Sequence, residues 1–244
     1  MKALKFNLSG QTAFFKKPDV NSYIYFTYSN IHKVSLLGIL GAILGLEGYN
    51  QQKRKINPSI YPEFYENLKD LKISIVPKNI SLTKKIQVFN NSVGYASFEE
   101  GGNLIIKEQW LENPEWDIYI LLDNGSGLLK TLEERLLKYH FTYIPYLGKN
   151  DHIANVKDVE ILDIENIEDT YEIHSLIDKA SIETISQPQR VRGEYFKYEE
   201  RLPYKLEKIT NQYIYQKFLH TNFNLKLQCF KDIYRCNDLN LFFF

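Results

Sequence analysis

The stretch WDIYILLD at residues 116–123, followed by LLKTLEERLLKYH at 128–140 and FTYIPYL at 141–147, sets the reading of this chain. The first segment is apolar and rich in residues that suit a pleated, half-buried surface, and it predicts a strand. In the second, apolar residues at 128, 129, 132, 136 and 137 share one helical face, and Ser126 stands where an N-cap belongs. The third predicts a returning strand that meets Gly148, Lys149 and Asn150. Upstream, KKIQVF at 84–89 and NLIIKE at 103–108 read as the two arms of a hairpin. Asn90, Asn91, Gly94, Gly101 and Gly102 supply the turn chemistry between them. LKISIV at 71–76 predicts another strand, stopped by Pro77. The front of the chain gives a strand over 3–15, a turn-rich loop with Pro18 and Asp19, and a helix over about 32–46.

The resulting order is strand, helix, strand, insertion, strand, helix, strand. That is the ferredoxin-like βαββαβ order with a hairpin inserted between its second and third strands. The expected class is therefore α+β. A ferredoxin-like domain spans 1–150 with its insertion at about 80–110. An acidic connector follows from 151, then a smaller, mainly β region to 244, in which 190–244 reads as short strands rich in Tyr and Phe.

The composition is that of a packed protein, with 44% hydrophobic and 25% charged residues over 244 positions. It excludes collagen-like, low-complexity and disordered classes. Thirty Lys+Arg balance thirty Asp+Glu, but unevenly. Residues 1–60 carry eight basic side chains against two acids, and 151–183 carry ten acids against two lysines. Such a layout suits an anion at the front and a basic partner at the acidic segment. QQKRKINP at 51–58 reads as a basic linker.

The most apolar run, VSLLGILGAILGL at 34–46, is thirteen residues long. A membrane-spanning helix needs about 20, so this run predicts a buried helix and no membrane association. Gly38, Gly41 and Gly45 fall on one stripe of it. Each costs helix stability, so the stripe predicts that another backbone comes close, a sheet being the simpler candidate and a ligand the other. Cys229 and Cys236 fit a reduced, cytoplasmic chain. FFF at 242–244 packs either on its own domain or on a neighbour in an assembly.

The five histidines form no HxH or HExxH pattern, and no CxxC exists, so no metal ligand set is expected. Glycine-rich phosphate loops and GxSxG are also absent, which argues against a nucleotide cofactor and a small-molecule substrate. What remains is basic residues interleaved with aromatics. Lys16 and Lys17 border Tyr23, Tyr25, Phe26 and Tyr28. His32 and Lys33 open the glycine-striped helix, and Lys53 and Arg54 follow it. Lys84 and Lys85 begin the insertion, with Tyr95 and Phe98 near its tip. Arg190 and Arg192 precede Tyr195 and Phe196. Single-stranded RNA is bound by this chemistry, cations on phosphates and rings on splayed bases, although each basic pair also fits a solvated surface. Tyr28, His32 and Lys33 admit a second reading. Metal-free RNA cleavage needs a general acid or base and a cation for the charged transition state. Otherwise His32 caps the first helical turn or contacts nucleic acid.

The runs FFKKPDVN at 14–21, YFTYSNIHK at 25–33 and LLGILGAILGL at 36–46 resemble the opening of the fifth Cas subunit of CRISPR Cascade, most nearly its subtype I-B branch. YLGKN at 146–150 is similar to that family's glycine-containing loop, and ERLP at 200–203 to part of its C-terminal region. The resemblance implies a repeat-associated mysterious protein (RAMP) fold whose insertion is a β-hairpin thumb. It implies a non-catalytic subunit, without cofactor, that holds the 5′ handle of the guide RNA. Such a subunit caps the filament of repeated backbone subunits and contacts the large subunit. In subtype I-C the corresponding protein cuts precursor RNA with a tyrosine, lysine and histidine, which makes a metal-independent endoribonuclease the alternative, with Tyr28, His32 and Lys33 as its candidates. Together with the basic and aromatic pattern, the resemblance gives an expected RNA-binding set of Lys16, Lys17, Asn21, Tyr25, His32, Lys33, Lys53, Arg54, Lys84, Lys85, Gly148, Lys149 and Arg192.

Overall fold

The computed structural model describes residues 1–18, 23–95, 98–122, 127–188 and 194–244. In chain order its elements are β1 (Lys2–Ser9), β2 (Thr12–Ala13), α1 (Lys33–Leu44), α2 (Tyr49–Arg54), α3 (Glu63–Leu68), β3 (Ile73–Pro77), β4 (Lys84–Asn90), β5 (Ile105–Glu112), β6 (Glu115–Leu122) and α4 (Gly127–Leu137). The second half adds β7 (Asn155–Asp163), β8 (Glu165–Asn166), β9 (Ile177–Asp178), β10 (Ile182–Ser186), β11 (Lys197–Leu206), β12 (Tyr213–Thr221), β13 (Asn224–Leu227), β14 (Ile233–Cys236) and β15 (Leu239–Phe242). The class is α+β, with antiparallel pairing in every sheet.

β1 organises the first sheet. Its alternation sends Leu4, Phe6 and Leu8 to one face and Ala3 to the other. β6 and β7 flank it, and the sheet order is β3-β6-β1-β7. The connection from β1 to β3 carries α1, α2 and α3, and that from β6 to β7 carries α4. Each connection skips one strand position. Leu4, Phe6 and Leu8 share a core with Leu36, Leu37 and Leu40 of α1, Phe64 of α3, and Leu132 and Leu136 of α4. The opposite face is covered by the small sheet β15-β14-β8: Ala3 and Tyr119 lie in one cluster with Tyr234, Cys236, Leu241 and Phe243. The remaining strands form β2-β5-β4, β11-β12-β9 and β10-β13.

Several elements differ from expectation. Residues 141–147 form no strand. Instead Thr142 and Tyr143 donate to the Ile43 and Ala42 carbonyls at 3.1 and 3.2 Å, closing the C-terminal end of α1. The fourth strand is β7, inside the stretch expected to be an acidic connector. A β-bulge hides it from the sequence. Lys5 pairs with Glu160 and Asn7 with Lys157, so Asp158 and Val159 both oppose Phe6. Asp158 takes φ 50 there, and the extra residue breaks the alternation of Val156 and Val159. The expected basic linker is partly helical, as α2, with the Gln51 side chain accepting from the Gly48 N–H at 3.2 Å.

Gly38 and Gly41 of the α1 stripe face Phe64 of α3 and not a sheet. A Cβ on Gly41 would stand 2.5 Å from Phe64 Cβ, so α3 is what comes close. Gly45 ends the helix at φ 77, a left-handed cap that glycine adopts without strain. No helix among the described residues is long and apolar enough to cross a membrane. Phe242–Phe244 is buried in its own fold, and Phe244 exchanges main-chain hydrogen bonds with Ile73 on the edge strand β3.

Candidate nucleic-acid interface

β4 and β5 pair as a hairpin from Lys84↔Leu111 to Asn90↔Ile105, as the turn chemistry predicts. Its foot is braced twice. β2 pairs with β5, and Tyr25 donates to the Lys107 carbonyl and accepts from the Gln109 N–H, both at 2.9 Å. The segment leading to Tyr25 is tied to the chain before Pro18: Lys17 N–H donates to the Phe26 carbonyl at 2.8 Å, and Tyr28 N–H to the Phe15 carbonyl at 2.9 Å. These bonds hold Lys16 and Lys17 against the base of the hairpin.

Five of the expected residues meet there. The Lys16 ammonium is exposed and sits 3.7 Å from the centroid of the Tyr25 ring. Lys17 pairs with Glu200 of β11 at 2.8 Å and lies 5.1 Å from the Tyr28 ring. Lys84 is held below the usual lysine range by burial, with Glu200 opposing that shift and Lys17 adding to it. Lys149 donates to both Glu108 oxygens at 3.1 and 3.2 Å and lies 5.5 Å from Phe89 and 5.7 Å from Phe14. Lys85 sits on the neighbouring face, 3.6 Å from Glu112.

Glu108 and Glu200, the acids that pair with Lys149 and Lys17, are not among the residues the sequence reading singled out for the site. Glu108 is 4% exposed and also accepts from Trp110 Nε1 at 2.8 Å. Glu200 accepts from the Ser29 N–H at 2.9 Å and from the Tyr198 hydroxyl. Both carboxylates pre-position a lysine next to an aromatic ring. The available signal was a charged residue at an inward strand position, which needs a partner. Lys16 has no ion pair among the described residues. A phosphate arriving here would meet Lys16 directly and compete with a carboxylate for Lys17 and Lys149.

Other expected residues lie elsewhere. His32 and Lys33 are in the core, 2% and 5% exposed, not on a surface that RNA can reach. His32 is the N-cap of α1: Nδ1 accepts from the Ser35 N–H at 3.2 Å and Nε2 bonds the Ser35 hydroxyl at 2.9 Å. Its ring meets Phe15, Tyr28 and Tyr213 edge to face, and burial pulls its pKa down to about 3. Lys33 Nζ donates to the Phe244 main-chain oxygen at 2.9 Å, and burial lowers its pKa to about 8. The Tyr28 hydroxyl donates to that of Tyr215 at 3.2 Å. The Tyr28 and His32 rings meet at 5.3 Å, while the Lys33 ammonium is taken up by the Phe244 main-chain oxygen, and all three residues are buried.

Gly148 holds φ 95, and a Cβ there would stand 1.9 Å from the Phe14 carbonyl oxygen, so both conformation and space require glycine. Its close approach is to the chain's own backbone, and this contact aims Lys149 at the hairpin foot. Lys53 and Arg54 are exposed on the last turn of α2, and no ion pair among the described residues joins them to the hairpin. Asn21, Arg190, Arg192 and the expected cap Ser126 lie outside the described residues.

No protein-family model matches the chain, and no curated protein matches it. In fold it is similar to a chain of a CRISPR RNA-guided surveillance complex, at 11% identity and a TM-score of 0.52, over 93% of this chain and 91% of that one. Fainter likenesses are to a CRISPR protein from Archaeoglobus fulgidus (11% identity, TM-score 0.46, 99% and 98% covered) and to a Cas protein (11%, 0.45, 92% and 95%). The first of these likenesses places the fold of this chain, along nearly its whole length, with that of a protein from a CRISPR surveillance complex.

Proposed function

We propose that this chain is a non-catalytic, RNA-binding subunit of a type I CRISPR Cascade complex, working in antiviral defence in the cytoplasm. In this reading the sheet β3-β6-β1-β7 with its two crossovers is a ferredoxin-like RAMP domain, and β4–β5 is its thumb. The hairpin foot grips the 5′ handle of the guide RNA. The chain caps the repeated backbone subunit and contacts the large subunit, in the manner of the subtype I-B branch. The observation that carries the reading is the meeting of Lys16, Lys17, Tyr25, Lys84 and Lys149 at the base of one protruding hairpin. The fold shared with a surveillance-complex chain supports it.

The cleaving alternative gains nothing from Tyr28, His32 and Lys33, which are buried, with the Lys33 ammonium bound to the Phe244 main-chain oxygen. The deciding experiment incubates the purified chain with a repeat-derived handle RNA and with a scrambled RNA of equal length. The handle RNA should bind more tightly, with affinity falling steeply as salt rises. Equal binding of both RNAs defeats the reading. Cleavage of precursor RNA in EDTA would overturn its non-catalytic part.

A further inference from the structure

On the other side of Lys17, Pro18 forms one wall of a cavity of about 550 Å³. Its remaining walls are Tyr49 at the start of α2 and Asn211, Gln212, Tyr213 and Tyr215 leading into β12. Tyr213 and Tyr215 meet edge to face at 6.3 Å, and Tyr49 is 37% exposed. Asn211 is held at φ 55, with its amide donating to the Ile60 carbonyl at 3.0 Å. That bond leaves its Oδ1 buried with no hydrogen-bond partner among the described residues. The exposed Arg201 guanidinium lies 5.5 Å from the Tyr215 centroid and has no ion pair among the described residues. The Tyr28–Tyr215 hydroxyl bond joins this cavity to the ring over which Lys17 sits.

We propose that this cavity takes one unstacked base of a single-stranded RNA. The inference rests on the RNA-binding reading above and adds the place where a base is held. Three phenol rings offer faces to a base of any identity, and the Asn211 and Gln212 amides face its polar edge. Arg201 on one side and Lys17 on the other neutralise the adjoining phosphates. The strand thus runs from the hairpin foot past Pro18 and drops one base between the tyrosines. A side chain from a partner protein is the rival occupant, since its size and apolarity would suit the same cavity.

The test uses the full chain and the repeat-derived RNA, remade as a series with one abasic nucleotide at each successive position. With wild-type protein, one position should lose about tenfold or more in affinity, the loss expected for one stacked base. In Tyr215→Ala that position should no longer stand out, while Arg201→Ala should weaken the whole series alike. A flat series on protein that still binds intact RNA tightly overturns the pocket and leaves the RNA-binding reading standing; a partner's side chain in the cavity would give that result. No binding of any RNA defeats the underlying reading instead. Should Tyr215→Ala fail to fold, 4-thiouridine photocrosslinking to wild-type protein decides. Crosslinks at Tyr49 or within residues 211–215 support the pocket, and crosslinks only elsewhere sink it.

Discussion

The first turn of α1 and the foot of the β4–β5 hairpin look alike in sequence. Each sets lysine beside aromatic residues, Lys33 near Tyr28 in one and Lys16 and Lys17 near Tyr25 in the other. In three dimensions they part. At the helix the cation is sealed in, its ammonium satisfied by a main-chain oxygen and its pKa lowered to about 8. At the hairpin the cations ride on ring faces at the surface or are held by acids with solvent on the other side. A basic-aromatic pattern therefore marks two unlike things, a core cation and a binding cation. What separates them is whether the strand or helix that carries the lysine has a neighbour on that face.

Substitutions can press on this contrast from both ends. The largest effect is expected at Gly148, which fastens Lys149 to the hairpin foot. Gly148→Ala puts a positive-φ alanine with its Cβ 1.9 Å from the Phe14 carbonyl oxygen, and about 3 kcal/mol or more of stability should go. Urea midpoints measure it, and a loss below about 1 kcal/mol would show that the loop yields easily.

The buried end is tested by pH. The folded-state pKa of His32 lies at about 3, below the usual histidine value near 6.5. The unfolded chain therefore binds the extra proton first, and stability falls as pH drops from about 6.5 toward 3. Between pH 7 and pH 4 this single group should remove about 3 kcal/mol. His220, lowered to about 4 by burial, adds a loss of the same sign. The slope of His32→Asn against wild type isolates the first contribution; parallel curves for the two proteins would contradict the buried, neutral cap.

At the hairpin foot, Lys149→Ala strands the carboxylate of Glu108, 4% exposed, with the Trp110 indole as its one remaining side-chain donor among the described residues. A cost of about 1–3 kcal/mol follows, and adding Glu108→Gln should restore much of it. Thermal melts of the single and double variants read this out, and no recovery in the double would mean that the pair is not coupled.

The smallest effects are on binding. Lys16→Ala with Lys17→Ala should lower the salt slope of RNA affinity by about 1.4, roughly 0.7 for each phosphate contact given up. Lys53→Ala with Arg54→Ala should change it less, because α2 stands apart from the hairpin. Equal slopes for the two double variants would erase the distinction between the two surfaces.

Much of the fold was legible beforehand. The strands at β1, β3 and β6, the helices α1 and α4, and the hairpin arms all announced themselves through period, turn residues and β-branched runs. β7 did not, because one bulged residue at Asp158 shifts its apolar positions out of alternation. The candidate site was legible in part: Lys16, Lys17, Tyr25, Lys84 and Lys149 were named, yet so were the buried His32 and Lys33. Nothing local in the sequence marks Tyr49, Arg201 and Tyr215 as neighbours.

The sequence by itself determined most of the strands and helices of the first half, and that the chain carries cations next to rings there. Local periodicity and turn chemistry settle those matters within a few residues. Only the tertiary structure decided which cations reach water, which glycine meets a backbone, and that Glu108 and Glu200 hold the lysines of the hairpin foot. Those outcomes depend on contacts between residues far apart in the chain, 183 positions for Lys17 and Glu200 and 211 for Lys33 and Phe244. Burial, and with it the pKa and reach of each charge, is a property of the packed neighbourhood and not of the neighbouring letters.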